Sequence, residues 1–293
     1  MPALVCLGLG YCARFYVAEF GSRFDRVIGT SRSPDKKAGA PIEVLIFDGI
    51  HPSPQLREAI SGASALLISA APGDAGDPVL AALADDIATA SKLQSIVYLS
   101  SLGVYGDHGG AWIDETAPTI PPHTRGAVRV DAELAWQALG RQRSTPIAIL
   151  RLGGIYGPGQ NAFVRLLAGR AHRIDKPGHV SNRIHVADIA QAIDAAFARR
   201  FDGTVNVTDG APAPPGDQIE FAAKLLGVAP PPLLSLDEAR RTLSPFLMSF
   251  YDGCARVRND KLQSALGVTL RYPDYRAGLQ ALLDDGFTAA PEI

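Results

Sequence analysis

The chain has 293 residues, with 28 lysines and arginines against 30 aspartates and glutamates, and a formal net charge of −2. This length is enough for one large domain or for a domain with an added lobe, and the balanced charge excludes a global electrostatic surface for nucleic acid or for an anionic membrane. No apolar run approaches the ~20 residues that span a bilayer, and three scattered cysteines argue against a disulfide framework and against a metal site. The sequence therefore predicts a cytoplasmic protein without a signal peptide.

The first element of the chain is an apolar run, Ala3 to Leu7, which predicts a strand. A glycine loop follows, and a helix over Tyr11–Phe20 ends at Gly21. In such a loop the first glycine allows a tight turn, the second lets backbone N–H groups approach a pyrophosphate, and a small third residue lets helix and strand pack closely. The helix N-terminus also attracts the anion. The predicted cofactor-binding residues here are Gly8, Gly10, Tyr11, Cys12 and Ala13.

The rest of the first half alternates between strands and helices. Short apolar runs predict strands at Arg26–Thr30, Glu43–Phe47, Ala65–Ser69, Ser95–Ser100 and Pro146–Arg151. Helices are predicted from Ser53-Pro54 to Ile60, from Asp77-Pro78 to Ala90, and over Thr124–Leu139, the first two with an N-cap residue followed by proline. This alternation is typical of a doubly wound Rossmann α/β fold, with a parallel sheet and helices on both faces.

Helices dominate the second half. They are predicted at Asp188–Arg199 with Asp188 as N-cap, at Gly216–Leu226 and at Asn259–Leu266, with short strands at His179–Ile184 and Thr204–Val207. The pattern predicts an NAD(P)-binding domain over residues 1–154. A smaller, mostly helical substrate lobe follows over residues 155–293, partly interleaved with the sheet.

The end of the second strand indicates which nucleotide is bound. An NAD site usually has an acidic residue there, which binds the ribose 2′-hydroxyl; this chain has Thr30, Ser31 and Arg32. Hydroxyls and a guanidinium suit a 2′-phosphate, so NADP(H) is preferred and NAD(H) is the alternative. The alternative for Arg32 is that it is a solvated loop residue without a role in nucleotide binding. Asp48 is predicted to contact the adenine, with a turn role as the alternative. The small residues Ala70, Ala71 and Pro72 are predicted to lie near a ribose of the cofactor, with ordinary tight packing as the alternative.

Four segments together resemble the extended short-chain dehydrogenase/reductase family, the group of nucleotide-sugar epimerases and dehydratases. They are the glycine loop Gly8–Ala13, Leu99–Gly106, Arg151–Gly159 and Arg183–Asp188. The resemblance covers nearly the whole chain, and the chain is similar to an atypical branch of the family. It implies an NAD(P) cofactor whose site also includes Ser100, Arg129, Gly154 and Ile155.

The resemblance also implies a catalytic set of serine, tyrosine, and lysine four residues after the tyrosine, in which tyrosine exchanges a proton while hydride passes to or from the nicotinamide. Ser101 stands at the family's serine position. Arg125 and Arg129 stand at the tyrosine and lysine positions. Arg129 can still hold the nicotinamide ribose, but Arg125 cannot act as an ordinary acid or base because guanidinium keeps its proton. Tyr105 is the candidate substitute, with a packing role as the alternative.

On the substrate side, the family fold would gather several cations near the mouth of the cleft. Arg125, Arg183 and His185, beside Arg129, predict an anionic small-molecule substrate, with local structural ion pairs as the alternative. Two functions follow. The first is an NADP(H)-dependent oxidoreductase or epimerase/dehydratase-like enzyme acting on a sugar-like or small carbonyl substrate. The second is a catalytically inactive NADP(H)-binding regulator or interaction protein on the same fold.

By analogy with relatives that pair through two long helices, a homodimer is one alternative for the assembly. The apolar candidates on the two helices are Leu80, Leu83, Ile87, Leu134 and Leu139, which would otherwise face the sheet.

Overall fold

The computed structural model describes residues 2–33 and 42–287. The strands are β1 (Ala3–Leu7), β2 (Arg26–Ser31), β3 (Glu43–Ile46), β4 (Ala65–Ile68), β5 (Ser95–Ser101), β6 (Trp112–Ile113), β7 (Ile147–Leu152), β8 (Gly154–Tyr156), β9 (Arg173–Asp175), β10 (Arg183–His185), β11 (Gly203–Val207), β12 (Leu233–Ser235) and β13 (Arg256–Val257). The helices are α1 (Tyr11–Phe20), α2 (Pro54–Gly62), α3 (Pro78–Thr89), α4 (Thr124–Arg143), α5 (Ala162–Leu167), α6 (Val186–Ala198), α7 (Pro215–Leu226), α8 (Leu236–Thr242), α9 (Pro245–Met248), α10 (Asp260–Ser264) and α11 (Tyr275–Asp284).

The central element is a seven-stranded sheet with the order β11-β7-β5-β4-β1-β2-β3, in which every neighbouring pair is parallel. Helices α1 and α6 pack on one face, and α2, α3 and α4 pack on the other. The predicted doubly wound Rossmann α/β fold is confirmed. The strand order reverses between β1 and β4, and in such sheets ligands bind in the crevice at the carboxyl edge of that switch point.

Both predicted N-caps on the α2–α3 side of the sheet are confirmed. The Ser53 hydroxyl accepts a hydrogen bond from Leu56 N, and the Asp77 carboxylate accepts from the first-turn amides of α3. Asp77 also accepts a 2.9 Å bond from the Trp136 indole N–H on α4. The capping carboxylate therefore also ties α3 to α4, with the Trp136 side chain fully buried between α4 and the sheet.

Helix α6 starts two residues earlier than predicted, so the assignment of Asp188 as its N-cap is wrong. His185 is the cap, and its Nδ1 accepts a 3.2 Å bond from Ala187 N. Asp188 lies inside the first turn, fully buried. It accepts bonds from the backbone amides of Arg271 (2.7 Å) and Tyr272 (3.1 Å), so it joins the helix to a distant segment.

Other element boundaries differ from the prediction by a few residues. Helix α4 continues to Arg143, where Ser144 adopts a left-handed conformation and ends it. The predicted strand His179–Ile184 reduces to β10, which pairs with β8. Three short parallel pairings outside the main sheet join distant segments: β10 with β8, β12 with β9 and β13 with β6.

In the second half, α5, α7 and α11 pack around their own apolar cluster, which includes Tyr156, Phe163, Ile219 and Tyr275. Strand β11 and helix α6 instead belong to the main sheet and its core. The division at residue 154 stays a prediction. Among residues 2–33 and 42–287, no helix combines the length and apolarity that crossing a membrane requires.

Most of the residues suggested for helix pairing are buried in the core. Leu83, Ile87 and Leu139 are buried in the core on the α2–α4 face, and Leu80 packs against it. Leu134 is 58% exposed. A homodimer through these helices stays a prediction, with Leu134 as its exposed apolar residue.

Candidate functional site

The glycine loop joins β1 to α1 at the switch point of the sheet. Gly8 has φ +95°, a backbone conformation that side chains rarely adopt, and a Cβ at this position would lie 2.6 Å from Ala70 N. Ala70 is held there because its amide donates a 2.9 Å bond to Leu7 O. Only glycine fits this position, because the loop passes directly against the end of β4.

The start of α1 is open toward the crevice. Its N-cap is Gly10, which is exposed and supplies no side-chain hydrogen bond. A Cβ there would meet nothing closer than the Ser69 hydroxyl, at 3.8 Å. The first amides of a helix have no partner within the helix and attract an anion. The loop therefore fits the pyrophosphate of a dinucleotide.

The other residues of this loop have distinct roles. Tyr11 reaches across the crevice, and its hydroxyl donates a 2.9 Å hydrogen bond to Pro158 O. Cys12 and Ala13 are buried against the sheet, and burial raises the pKa of the Cys12 thiol to about 12. Cys12 is therefore an unreactive packing residue, and its contribution to a cofactor site is its backbone.

At the end of β2, the predicted nucleotide-selecting residues divide into a structural part and an exposed part. Thr30 is buried, and its hydroxyl accepts a 2.8 Å bond from Gly8 N, which fastens the glycine loop to β2. The Ser31 hydroxyl bonds to the backbone of Ser33. Arg32 is exposed. Thr30 thus shapes the loop, and Arg32 presents its charge at the surface.

The remaining predicted adenosine-side residues lie near the same edge. The Asp48 carboxylate accepts bonds from the amides of Ile50 and His51, each 2.8 Å long. Hydrogen bonds from the His51 backbone and side chain hold the pKa of Asp48 well below its usual range. These contacts are those of a turn residue. After β4, Ala70 and Pro72 are half-buried and Ala71 is exposed.

Ser101 and Arg129 meet at the carboxyl end of β5. The Ser101 hydroxyl accepts a 3.1 Å bond from Gly103 N and caps a short 3-10 turn, Leu102–Val104. Arg129, on α4, donates a 3.1 Å bond to Leu99 O. The Ser101 hydroxyl keeps its own proton for a further hydrogen bond.

Tyr105 points away from this edge. It is 1% exposed, and its hydroxyl donates a 2.8 Å bond to Asn206 Oδ1. The Arg151 guanidinium lies 4.8 Å from the centre of its ring. Burial raises the pKa of Tyr105. These contacts are those of a buried structural tyrosine.

A buried polar network lies beneath Ser101. Ser100, Arg151 and Asn206 are register partners on β5, β7 and β11, so they share one face of the sheet. Glu133 on α4 accepts from the Ser100 hydroxyl and from Arg151 through bonds of 2.5 to 3.2 Å. Glu133 and Asn206 are absent from the residues predicted from the sequence. The available signal is Arg151 itself, a charge inside an otherwise apolar strand.

The three predicted substrate residues are engaged by different parts of the chain. Arg125 is exposed and donates to the Ser249 hydroxyl, with its guanidinium 4.8 Å and 5.2 Å from the ring centres of Phe246 and Phe250. Arg183 is buried and donates to the carbonyls of residues 181, 213 and 214 at 3.1 to 3.3 Å.

His185 caps α6 and packs between Tyr156 and Tyr272, with ring centres at 5.1 Å and 4.0 Å. Burial lowers the pKa of His185 to about 4, so the ring is neutral at pH 7. Nearby, the amide of Gly154 donates a 2.8 Å bond to Asn182 O at the start of β8. Gly154 is exposed and Ile155 is half-buried, so both are accessible at the edge of the crevice.

Comparisons with known proteins agree with this architecture. The model of the NAD dependent epimerase/dehydratase family matches residues 77–208. A solved structure from Silicibacter pomeroyi DSS, described as a functionally unknown conserved protein, is 45% identical and has a TM-score of 0.89, with 98% of this chain and 100% of that chain covered.

Two curated proteins are also similar. A 3-diazoavenalumate denitrifying reductase from a Streptomyces species is 29% identical over 204 residues, 66% of this chain and 66% of the reductase. Protein YeeZ of Escherichia coli (strain K12) is 28% identical over 290 residues, 94% of this chain and 97% of YeeZ. The similarity to YeeZ thus extends over nearly the whole of both chains.

Proposed function

We propose that the chain is an NADP(H)-dependent oxidoreductase or epimerase/dehydratase-like enzyme acting on an anionic small molecule, a proposal supported by the match of residues 77–208 to the NAD dependent epimerase/dehydratase family model. The observation that supports this most directly is the glycine loop at the switch point. Gly8 is packed against β4, and Gly10 leaves the first turn of α1 open. That arrangement suits a dinucleotide pyrophosphate.

The residues that would hold the cofactor follow from their positions along the edge. The amides of the first turn of α1 would bind the pyrophosphate, and Arg129 would lie toward the nicotinamide ribose at the end of β5. When bound, the cofactor supplies hydride transfer at its nicotinamide ring. Gly154 and Ile155, at the start of β8, would border the same end.

The preference for NADP(H) rests on the end of β2. Arg32 is exposed there, and the Thr30–Ser33 stretch contains no carboxylate to repel a 2′-phosphate. The Thr30 hydroxyl is already bonded to Gly8 N. Arg32 is therefore the side chain that would select NADP(H), through charge-assisted bonds to the phosphate.

For the substrate end, the chain differs from the family's usual proton-transfer pair. Arg125 and Arg129 replace the tyrosine and lysine, and the hydroxyl of Tyr105 is bonded to Asn206 inside the protein. Of the two predicted catalytic hydroxyls, that of Ser101 remains for this role, and it would orient a substrate oxygen. This favours a reaction in which hydride transfer needs no tyrosine proton donor, and a reductase is among the curated relatives.

The test is a titration of the purified protein with NADPH and with NADH, followed by nicotinamide fluorescence. We expect NADPH to bind at least ~10-fold tighter, and Arg32→Glu to abolish this preference. Lys92→Glu makes the same charge change at an exposed site just before β5 and should retain the preference. Lys92 lies at the amino edge of the sheet, whereas Arg32 lies at the carboxyl edge. Equal affinities in the wild type would contradict the 2′-phosphate assignment, and no binding of either nucleotide would contradict the cofactor site.

A second function is an NADP(H)-binding regulator without turnover. The observation that favours it is the position of Arg125, which is bonded to Ser249 and lies against Phe246 and Phe250 where the family has its proton donor. Turnover on a panel of carbonyl substrates separates the two functions. An enzyme loses activity in Ser101→Ala while its NADPH affinity is kept, whereas a regulator binds NADPH and turns over none of the panel.

A further inference from the structure

Arg165 on α5 and Arg183 on β10 have no carboxylate within ion-pair distance among the described residues. Arg165 is exposed, and its guanidinium lies against α7, where it donates a 3.2 Å hydrogen bond to Gln218 Oε1. Loss of hydration lowers the pKa of Arg165. An exposed cation without an ion-pair partner attracts an anionic ligand.

A buried donor without a partner lies beside Arg165. Gln218 on α7 is 5% exposed, and its Oε1 accepts a 3.2 Å bond from the Arg165 guanidinium. Its Nε2 is buried and has no hydrogen-bond partner. Because buried polar groups in folded proteins are nearly always paired, this amide N–H requires an acceptor that the protein does not supply.

Arg183 adds fixed positive charge behind this pair. Its guanidinium is held by the backbone carbonyls of residues 181, 213 and 214, which fix its position without cancelling its charge. Burial lowers the pKa of Arg183 and the positive charge of Arg165 lowers it further, whereas the charges of Asp209 and Asp217 raise it. The nearby Asp209 is only partly ionised at neutral pH, since burial raises its pKa to about 7.

Helix α5 is also connected to the glycine loop. The turn over residues 157–160 leads directly into α5, whose N-cap Asn161 bonds to Gly157 O at 2.9 Å. The carbonyl oxygen of Pro158, in the same turn, accepts a hydrogen bond from the hydroxyl of Tyr11 in the glycine loop. Arg165 is therefore about one helical turn from the segment that contacts the proposed cofactor site.

We propose that the surface where α5 packs against α7 binds a carboxylate of the substrate, with Arg165 as its bidentate partner and Gln218 Nε2 as a third donor. A planar guanidinium fork matches the two oxygens of a carboxylate, and one amide adds a bond to a remaining lone pair. A phosphate dianion carries a second negative charge and a third oxygen, and this donor set does not satisfy either of them. The identity of the ligand as substrate rests on the proposed function; the anion site itself does not.

The test uses sodium benzoate as the probe, in calorimetric titrations of the whole protein at constant ionic strength. We expect saturable binding that Arg165→Gln weakens at least 10-fold. Arg165→Lys should also weaken it, because lysine keeps the charge but not the planar fork. Arg170→Gln is the matched control, an exposed arginine just after α5, and should bind benzoate like the wild type. Sodium phosphate should bind more weakly than benzoate.

Three results would overturn the carboxylate site: no saturable benzoate binding by the wild type, equal affinity in Arg165→Gln, or phosphate binding tighter than benzoate. NADPH titration of the same variants keeps the two proposals separate. Arg165→Gln should bind NADPH normally. Benzoate binding in a protein that binds neither nucleotide would refute the proposed function and support the anion site, and the reverse pattern would refute the anion site alone.

Discussion

Replacing Glu133 by glutamine should destabilise the protein strongly. Glu133 is 3% exposed and Arg151 is 8% exposed, and they share three hydrogen bonds of 2.6 to 3.2 Å. Glu133→Gln removes the negative charge and turns an N–H group toward either Arg151 or the Ser100 hydroxyl. Breaking a buried ion pair by removing one partner costs about 3–5 kcal/mol, because the other charge stays buried without compensation. The free energy of unfolding, from urea denaturation followed by circular dichroism, measures this loss.

The matched control is the exposed ion pair between Arg26 and Glu43, whose side chains are 60% and 44% exposed. Glu43→Gln should change the free energy of unfolding by less than about 1 kcal/mol, because water screens exposed pairs. A double variant, Glu133→Leu with Arg151→Met, should recover part of the stability that Glu133→Gln loses, since it leaves no unpaired charge. If Glu133→Gln lost no more than the control, the assignment of the pair as a buried network would be refuted.

Gly8→Ala should lower stability and abolish nucleotide binding, because its Cβ would meet Ala70 N at 2.6 Å and its φ is +95°; Gly73→Ala, where nothing lies within 4 Å, is the control in both a melting and a nucleotide-fluorescence assay. Asp209→Asn should become more stable relative to the wild type as pH rises. Burial raises the pKa of Asp209 from 3.8 to about 7, so the stability that this group contributes is full below pH 3.8 and is lost as pH rises through 7. The unfolding free energy of Asp209→Asn minus that of the wild type should grow, between pH 5 and pH 8, by up to about 1.4 kcal/mol per pH unit. The exposed variant Asp237→Asn should show no such trend, and a pH-independent difference for Asp209→Asn would contradict the buried ionisation.

Features fixed by residues close in sequence were predictable. Ser53 and Asp77 cap their helices because the capping bond spans only two or three residues. The glycine loop follows the same logic, since its turn and the start of α1 are local. The fold class then follows from the alternation of apolar strands and helices.

Features that depend on distant partners were not predictable. Asp188 has the residue type of an N-cap, but its carboxylate accepts amides from residues 271 and 272, more than 80 positions away. Glu133 and Arg151 are 18 residues apart and meet only because α4 crosses β5 and β7. The partners of the predicted substrate residues were not predictable for the same reason: Arg183 is held by carbonyls of the 213–214 segment, which no local pattern connects to β10.

Glu133 of the buried network lies on the same helix as the two arginines at the predicted catalytic positions. Arg125, Arg129 and Glu133 follow one another at intervals of four, so they lie along one side of α4. Glu133 anchors that side to the sheet through Arg151 and Ser100, directly beneath Ser101. The Glu133 network therefore holds α4 on the sheet together with the bond from Arg129 to Leu99 O. A change at Arg125, which contacts Ser249 and not the sheet, should leave this attachment intact, so nucleotide binding and turnover have to be tested as separate properties of this chain.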